Sequence, residues 1–405
     1  MDAASTVRSR MAKPDQDVVV VGAGPVGLSL ALGLAREGTS VTVLEKEPDT
    51  SEHSRAPIVW PRTQEVFSEL GVLGAFLDAG IVRSRIRLWD VDRDRPLLRF
   101  PLEELRDETP CPQLLICPQS TTERILCEAL EAEPSATVRF SAEVADLTPA
   151  NGRVAVHYER GGSRRTVTAP VAAGCDGAHS RVRDVLGTDF DGRTYHMRAA
   201  LADVRLGPAL ELRSPRMTRA RGVATGLRIG EGQWRVIMPR RPDPQDAPPL
   251  EARIERAVAD LFPTRDYTTA WKSEYRLHRR ISSRFVDGRI VLAGDAAHLT
   301  SPVGGQGMNV GIQDAHALTG AIHETLGRGD PTPLSTYEAE RRSAVEGGVV
   351  RGTDRLTRVL LAGRGAVLVP ALRLVGAALE LRPIRRLVMR RMAMLEDPSR
   401  HRTGA

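Results

Sequence analysis

Cysteine is scarce in this chain, and its spacing excludes several kinds of site. Four cysteines occur in 405 residues, with no C-x-x-C pair and no neighbouring pair of histidines. Neither a zinc site nor a disulfide framework is therefore indicated, and we expect no metal. Reduced, buried thiols in a cytoplasmic protein are the expected state of Cys111, Cys117, Cys127 and Cys175.

Long apolar runs are also absent. No stretch reaches the roughly 18 uninterrupted apolar residues that indicate a membrane-spanning helix, so no transmembrane segment is predicted. The first 16 residues are polar and lack the apolar core of a signal peptide. They are predicted to form a flexible leader.

Positive charge is present but is not concentrated in one place. The net charge of +6 and the pI near 9.5 would suit a nucleic acid or an anionic membrane as partner. The arginines are spread along the chain, however, so no nucleic-acid partner is predicted. With 41% apolar residues, a chain of this length can form two or three domains with buried cores.

The clearest motif lies near the start of the chain. Val18–Val21 is a continuous apolar strand, and Gly22, Gly24 and Gly27 form G-x-G-x-x-G between it and an apolar helix. The glycines permit a tight turn, close approach of a pyrophosphate and close helix packing, while the helix N-terminus attracts the phosphates. Glu45 ends the next strand, where a carboxylate can accept ribose hydroxyls. The dinucleotide contacts predicted for this unit are Gly22, Gly24, Pro25, Val26, Gly27, Glu45 and Lys46.

Two further segments carry a family resemblance. Residues 289–314 read RIVLAGDAAHLTSPVGGQGMNVGIQD, and residues 174–183 read GCDGAHSRVR. Both resemble the flavin-contacting motifs of the class A flavoprotein monooxygenases, the para-hydroxybenzoate hydroxylase family. The resemblance implies that Asp295 holds the ribityl chain of FAD and that the loop from Pro302 to Gly307 lies along the flavin ring.

The same resemblance implies a wider set of cofactor contacts. They are Arg55, Ala56, Gln119, Asp176, Gly177, Gly294, Asp295, Pro302, Gly305, Gly307, Met308 and Asn309. Arg183 could bind a phosphate of the nicotinamide donor or serve only a structural ion pair.

No side chain is assigned a catalytic role from the sequence. The family needs no nucleophile, so the candidates next to the reacting atoms are the ring loop residues Pro302, Gly304 and Gly305. A base that deprotonates the substrate could be found among His298, His196 and Tyr195, although a structural hydrogen bond is the alternative for each. Trp60, Trp89, Trp234 and Met238 are candidates for lining an aromatic-binding surface or for simple core packing.

The expected reaction follows from the family. We expect an FAD-dependent monooxygenase that uses NADPH or NADH and O2 to hydroxylate or epoxidise an aromatic or polyketide-like molecule through a flavin C4a-hydroperoxide. Specialised metabolism, such as antibiotic biosynthesis, is the expected context. Two alternatives stay open, an FAD-dependent reductase of isoprenoid double bonds and a non-catalytic escort protein that keeps the dinucleotide fold. A monomer and a homodimer are both compatible with the sequence.

The predicted fold class is α/β, with a Rossmann-like FAD-binding domain of the GR2 type, a β-sheet substrate domain and C-terminal helices. Residues 136–173 are predicted to form an antiparallel meander around Asn151-Gly152 and Gly161-Gly162. The predicted ranges are 17–80, 101–189 and 281–360 for the FAD-binding domain, 81–100 and 190–280 for the substrate domain, and 361–405 for the C-terminal helical segment.

The C-terminal segment resembles the compact form of the family, without the thioredoxin-like domain of its longer members. Residues 366–381 are apolar apart from Arg373 and Glu380, and an arginine-rich stretch follows them. Packing against the FAD-binding domain is expected for these helices, while a membrane-surface helix or a dimer contact remains an alternative.

Overall fold

The computed structural model describes residues 15–51, 56–207, 211–212, 214–220, 223–240, 248–301, 304–350 and 365–396. Arg55 and Pro302, both predicted to contact the cofactor, lie outside the described residues, as do the predicted leader up to residue 14 and the side chain of His196.

Strands and helices alternate in the first part of the chain, and long strands dominate the middle. The strands are β1 (Val18–Val21), β2 (Val41–Leu44), β3 (Ile58–Val59), β4 (Ile81–Arg83), β5 (Arg85–Asp90), β6 (Arg95–Pro101), β7 (Leu114–Ile116), β8 (Ala136–Arg139), β9 (Glu143–Ala150), β10 (Arg153–Arg160), β11 (Ser163–Ala169), β12 (Val171–Gly174), β13 (Phe190–Leu206), β14 (Arg216–Thr218), β15 (Ala224–Arg228), β16 (Gln233–Arg240), β17 (Tyr267–Ser282), β18 (Val286–Asp287), β19 (Ile290–Leu292) and β20 (His298–Leu299). The helices are α1 (Pro25–Arg36), α2 (Pro61–Glu69), α3 (Leu73–Ala79), α4 (Gln119–Glu131), α5 (Arg181–Val185), α6 (Leu250–Leu261), α7 (Gly307–Arg328), α8 (Thr332–Ala344), α9 (Gly365–Glu380) and α10 (Arg382–Met392).

A six-stranded sheet forms the first domain, in the order β18-β19-β12-β1-β2-β8. All its neighbours pair in parallel except β18 and β19. Every residue of β1 and β2 is buried, as expected for strands covered on both faces. Helices α1, α4 and α7 cover one face through a large apolar core. The predicted α/β fold class is confirmed by this architecture.

An eight-stranded sheet forms the second large layer, in the order β20-β17-β13-β16-β15-β14-β5-β6. Its strands pair antiparallel except β14 and β5. Helix α6 packs on one face, where Trp234 and Met238 are buried with Ile254 and Val258. These two pocket candidates are therefore core residues, and the opposite face of the sheet turns toward the first domain.

The meander predicted over residues 136–173 is correct only in its central part. Strands β9, β10 and β11 do form an antiparallel sheet, with turns at Asn151-Gly152 and Gly161-Gly162 in which all four residues have positive φ. Strands β8 and β12, at the two ends of the range, instead pair in parallel within the six-stranded sheet. Alternation of apolar residues does not distinguish these pairings, because both sheet types use period-two strands.

No described helix is long and apolar enough to cross a membrane. Among the described residues, no group of three or more His, Cys, Asp or Glu side chains is placed to hold a metal ion.

We expect all four cysteines to be unreactive in the folded protein. They are free and buried, and burial raises the pKa of Cys111 and Cys117 to about 11 and of Cys127 to about 12. Burial also raises the pKa of Cys175 far above its usual value. Because the thiolate is the reactive form, a disulfide reagent at neutral pH should label them only after urea unfolding. Rapid labelling of one thiol in the folded protein would contradict their burial.

Candidate cofactor and active site

Four predicted segments meet at one edge of the six-stranded sheet. In the parallel register, Val21 pairs with Leu44 and with Gly174, and Gly174 pairs with Leu292. The residues that follow these strands, namely the glycine turn, Glu45, Asp176 and Gly294, therefore leave the sheet at the same carboxyl edge. Ligands of open α/β sheets bind in the crevice outside this edge.

The turn between β1 and α1 is built on close backbone contacts. Gly22 has φ of 104°, and a Cβ on it would lie 2.6 Å from the carbonyl oxygen of Cys175. A Cβ on Gly27 would lie 2.0 Å from the carbonyl oxygen of Gly22. A Cβ on Gly24 would meet nothing within 4 Å, so its surroundings are open. Two of the three glycines are thus required by the protein itself, and the third leaves space beside the N-terminus of α1.

Glu45 directly follows β2, and its carboxylate faces this turn. Its Oε2 accepts a hydrogen bond of 2.7 Å from the Ala23 N–H, and its Oε1 accepts one of 3.0 Å from the Glu47 N–H. The carboxylate is half-buried, while Lys46 beside it is exposed. Glu45 therefore stabilises the glycine turn through a hydrogen bond, and its carboxylate oxygens can accept further hydrogen bonds from a ligand in the crevice.

Gln119 and Ala56 lie beside the segment after β2. The Gln119 amide donates to Glu123 at 2.8 Å, and Glu123 in turn accepts from the Ser51 N–H at 2.9 Å. Ala56 is half-buried just before β3. The structure thus gives Gln119 a contact with its own helix, and the predicted cofactor contact stays a prediction.

Asp176 and Gly177 follow β12. Asp176 Oδ2 accepts from the Arg181 and Val182 N–H groups at 2.7 and 3.1 Å, which holds the first turn of α5. Its Oδ1 is buried and makes no hydrogen bond to any described residue. Burial raises the pKa of this carboxyl, against the opposing effect of its hydrogen bonds. A buried acceptor without a donor is costly, so this oxygen fits a ligand hydroxyl.

Arg183 has a structural role here. Its guanidinium donates to the carbonyl oxygens of Ala296 and Ala178 at 3.1 and 3.0 Å and lies 3.9 Å from the centroid of the Phe190 ring. The side chain is buried, and desolvation lowers its pKa. Of the two roles that the sequence left open, these contacts support the structural one, although the partners are backbone carbonyl oxygens and an aromatic ring instead of a carboxylate.

Gly294 and Asp295 begin a short 3-10 turn after β19. Gly294 has φ of 62°, and a Cβ on it would lie 2.9 Å from Cγ2 of Val26. A Cβ on Gly311 of α7 would lie 2.6 Å from the same Val26 atom. Val26 therefore wedges α1 against both segments, and the exposed Asp295 is presented at the carboxyl edge.

The loop before α7 is held by one asparagine. Asn309 Nδ2 donates to the carbonyl oxygens of Ile58 and Gly305, each at 2.8 Å, and its Oδ1 accepts from the Trp60 N–H at 2.8 Å. Trp60 Nε1 donates to the Gly304 carbonyl at 2.9 Å. Asn309 is fully buried, so its side chain positions the loop. Gly307 and Met308, in the same turn, are half-buried.

A buried charged cluster supports the Gly294 turn from behind. Asp314 of α7 accepts from the Gly294 N–H at 3.1 Å and from His298 Nε2 at 2.6 Å through Oδ2, and from Arg341 Nε at 2.7 Å through Oδ1. Burial alone would raise the pKa of Asp314, but His298 and Arg341 outweigh it and hold the pKa below its usual value. His298, a candidate base, is thus committed to a structural contact.

Sequence reasoning missed Asp314, Arg341 and the roles of Trp60 and Asn309. Asp314 ends the segment that resembles the family, but nothing in its spacing indicates a link to Arg341, which lies 27 positions later on α8. Arg62 of α2 is buried and pairs with Glu65 at 3.1 Å. The only signal in the sequence for the buried cluster was the presence of a charged residue, Asp314, among the apolar residues of α7.

Comparison with known proteins identifies relatives over most of the chain. The family profile described as "FAD binding domain" matches residues 15–352. The 6-hydroxy-3-succinoylpyridine 3-monooxygenase HspB of Pseudomonas putida is 35% identical over 338 residues, which cover 81% of this chain and 84% of the relative. The 6-methylpretetramide 4-monooxygenase of Streptomyces rimosus is 34% identical over 392 residues, covering 93% and 68% respectively.

A solved structure has the same fold. The p-nitrophenol 4-monooxygenase PnpA of Pseudomonas putida DLL-E4 superposes with a TM-score of 0.87 at 25% identity, and the alignment covers 95% of this chain and 98% of that one.

Asp314→Asn should destabilise the protein strongly. The amide cannot replace a carboxylate that neutralises the buried Arg341 and accepts hydrogen bonds from His298 and Gly294, so we expect a loss of about 3–5 kcal/mol in the free energy of unfolding. Folding lowers the pKa of Asp314 below 3.8, its value in the unfolded chain. The stabilisation that its ionised carboxylate provides is therefore fully present above pH 3.8 and is lost as the pH falls through the lower pKa of the folded state. Urea unfolding across pH measures both effects.

The control is Glu324→Gln, which breaks an exposed pair with Arg328. It should change the free energy of unfolding by no more than about 0.5 kcal/mol. A loss below about 1 kcal/mol for Asp314→Asn would show that the buried cluster contributes no more than a surface pair.

Proposed function

Because the chain belongs to the FAD binding domain family, we propose that FAD lies along the edge where β1, β2, β12 and β19 end. One observation carries this proposal, the convergence of the four segments at a single carboxyl edge. The buried Oδ1 of Asp176, which lacks a protein donor among the described residues, supports it because the hydroxyl groups of FAD are suitable donors.

Each segment has chemistry suited to one part of the cofactor. The open surroundings of Gly24 and the N-terminus of α1 suit the pyrophosphate. The carboxylate of Glu45 suits the adenosine ribose, and Asp176 and Asp295 suit hydroxyls further along the molecule. The loop containing Gly304 and Gly305 can lie against a flat ring, since neither residue carries a side chain. The other proposed cofactor contacts among the described residues are Lys46, Ala56, Gln119, Gly177, Gly294, Gly307 and Met308.

The protein is an FAD-dependent monooxygenase, as its relatives are. FAD supplies the redox chemistry when bound, with NADH or NADPH as reductant. The chain's own contribution is to orient the cofactor, exclude water and position the substrate. The reductase and escort-protein alternatives are less well supported, because the relatives at 34% and 35% identity are monooxygenases.

We place the substrate on the face of the eight-stranded sheet opposite α6. Leu227 of β15 packs with Trp60 and Ile116 of the first domain, and it pairs in register with Arg235 of β16. Residues paired in register share a face, so Arg235 faces the same side. The interface between the two domains therefore brings this face toward the Gly304 loop.

The polar groups of this face are pre-arranged. Arg235 is almost fully buried and binds both oxygens of Asp203, each at 2.7 Å, while its guanidinium lies 5.6 Å from the Trp271 ring centroid. Burial raises the pKa of Tyr275, against the charge of Arg235, so its hydroxyl stays protonated at neutral pH. Aromatic surface with a few fixed polar groups suits an aromatic or polycyclic substrate.

We propose molecular oxygen as the second substrate. We propose specialised metabolism as the context, because two relatives are named as monooxygenases of 6-methylpretetramide and of 12-dehydrotetracycline and anhydrotetracycline. A cytoplasmic location and the choice between monomer and homodimer stay predictions.

The function is tested by oxygen and reductant consumption. The FAD-loaded protein should consume NADH or NADPH and O2 together, and at least about tenfold faster when an aromatic or tetracyclic substrate is added. Mass spectrometry should find one added oxygen atom, which comes from labelled O2. Turnover that proceeds without oxygen would support the reductase alternative, and purified protein that binds no flavin would reject the assignment.

The cofactor position is tested by two alanine substitutions in one turn. Gly24→Ala should leave the FAD-free protein as stable as the parent, because its Cβ meets nothing, yet weaken FAD binding by at least about tenfold by blocking the phosphates. Gly27→Ala, the matched control, should destabilise the FAD-free protein itself, because its Cβ would be 2.0 Å from the Gly22 carbonyl oxygen. Fluorescence titration of FAD and thermal unfolding separate the two effects. Unchanged FAD affinity in Gly24→Ala would place the phosphates elsewhere.

A further inference from the structure

Exposed large apolar side chains are confined to one part of the described chain. All five lie in the C-terminal helices or at the junction between them, at Leu374, Val375, Leu381, Ile384 and Leu387, with exposed fractions of 73%, 46%, 58%, 39% and 44%. Single exposed apolar residues are ordinary, but a cluster of them indicates an interaction surface.

Helix α9 has a packed side and an open side. Leu372 and Leu379 are buried, and Gly376 approaches the backbone of β6 so closely that a Cβ would lie 3.1 Å from the Leu97 carbonyl oxygen. At roughly 100° per residue, Leu374 and Leu381 fall on the opposite side of the helix, with Ala377 and Ala378. The outward side of α9 is therefore apolar along its last two turns.

Helix α10 continues the pattern. Met389 is fully buried and Arg385 pairs with Glu104 at 2.7 Å, so one side of the helix is fixed to the protein. Ile384 and Leu387 lie on the other side and are exposed. We call the outward sides of α9 and α10, from Leu374 to Leu387, the apolar strip.

Arginines without carboxylate partners lie beside the apolar strip. Arg95 and Arg99 of β6 line a groove of about 480 Å³ together with Ala377 and Glu380 of α9. Arg87 lies directly opposite Arg99 across β5 and β6, an arrangement of like charges that costs stability.

These arginines differ from the structural ones on α10. Among the residues that the structure describes, no carboxylate lies within ion-pair distance of Arg87, Arg95 or Arg99. Glu380 is the acidic residue that lines the groove with them. The surroundings of the apolar strip therefore have an excess of positive charge that the protein does not neutralise.

We propose that the apolar strip and its arginines bind the surface of an anionic lipid bilayer. Apolar side chains on the outward side of a helix enter the boundary between headgroups and acyl chains, and nearby arginines bind lipid phosphates. The helices would lie along the membrane surface. Binding at this surface would require neither the cofactor nor the substrate.

The charge favours a lipid surface over a second copy of the chain. A two-fold contact through the apolar strip would bring the same patch of each copy together. The unpaired arginines of one copy would then meet those of the other, which is unfavourable when they are desolvated. An anionic surface instead neutralises all of them at once.

The test is co-sedimentation of the full-length, FAD-loaded protein with lipid vesicles. We expect binding to vesicles that contain phosphatidylglycerol, little binding to vesicles of phosphatidylcholine alone, and release as salt screens the arginines. Arg95→Gln with Arg99→Gln should weaken binding by roughly fivefold per arginine. Leu381→Ser with Leu387→Ser should abolish it, because the apolar contribution is lost.

The matched control is Arg164→Gln with Arg165→Gln, which removes the same charge from the exposed strand β11. It should bind vesicles as the parent protein does, and all variants should keep bound FAD and substrate-dependent oxygen uptake. Equal loss of binding in this control would mean that only net charge matters and would overturn the proposal. So would the absence of vesicle binding, or a dimer in solution that Leu381→Ser with Leu387→Ser dissociates.

Discussion

The carboxylate of Asp314 accepts hydrogen bonds from three separate parts of the chain, and the proposed cofactor edge depends on that arrangement. Its partners are the Gly294 N–H after β19, His298 on β20 and Arg341 on α8. A buried charge of this kind is tolerated only when its acceptors are satisfied, so the three segments must be in place together. The same helix, α7, begins at the loop that is proposed to face the flavin ring. Asp314 thus ties the end of the parallel sheet, the start of the eight-stranded sheet and the ring loop to one rigid helix.

Close backbone contacts complete the edge. Gly22 and Gly27 leave no room for a Cβ, and Val26 is wedged between Gly294 and Gly311. These contacts bring the first strand, the first helix and the segment after β19 within van der Waals distance, although the first strand and that segment are more than 270 positions apart in the chain. Asn309 and Trp60 act similarly on the ring loop through hydrogen bonds to backbone groups. The groups that hold the site together are therefore mostly distinct from the groups that are proposed to bind the ligand.

The two faces of the eight-stranded sheet have different roles, because successive side chains of each strand point to opposite faces. Side chains on one face form a core with α6, while those on the other meet the first domain and carry the Arg235–Asp203 pair. The C-terminal helices divide in the same manner, since one side packs on β6 and the 3-10 turn Leu102–Leu105 and the other is exposed. The sequence predicted that these helices pack against the FAD-binding domain, but α9 packs instead on β6 of the eight-stranded sheet, and only α10 packs on Leu102–Leu105. These contacts leave the outward sides of both helices exposed.

The sequence alone determined the fold class, the family and the cofactor, because these depend on local patterns. A buried valine strand, glycines at set spacing before a helix, and the segments around Asp176-Gly177 and Gly294-Asp295 are contiguous in the chain. Only the tertiary structure decided which polar residues are free for a ligand. Asn309, His298 and Arg183 matched the expectations for cofactor contact, for a base and for phosphate binding, yet each is committed to partners elsewhere in the chain. The pairing of β8 and β12 with the parallel sheet was likewise beyond the sequence. The physical reason is the same in each case: hydrogen bonds and strand pairs between distant segments leave no periodic signal in either segment.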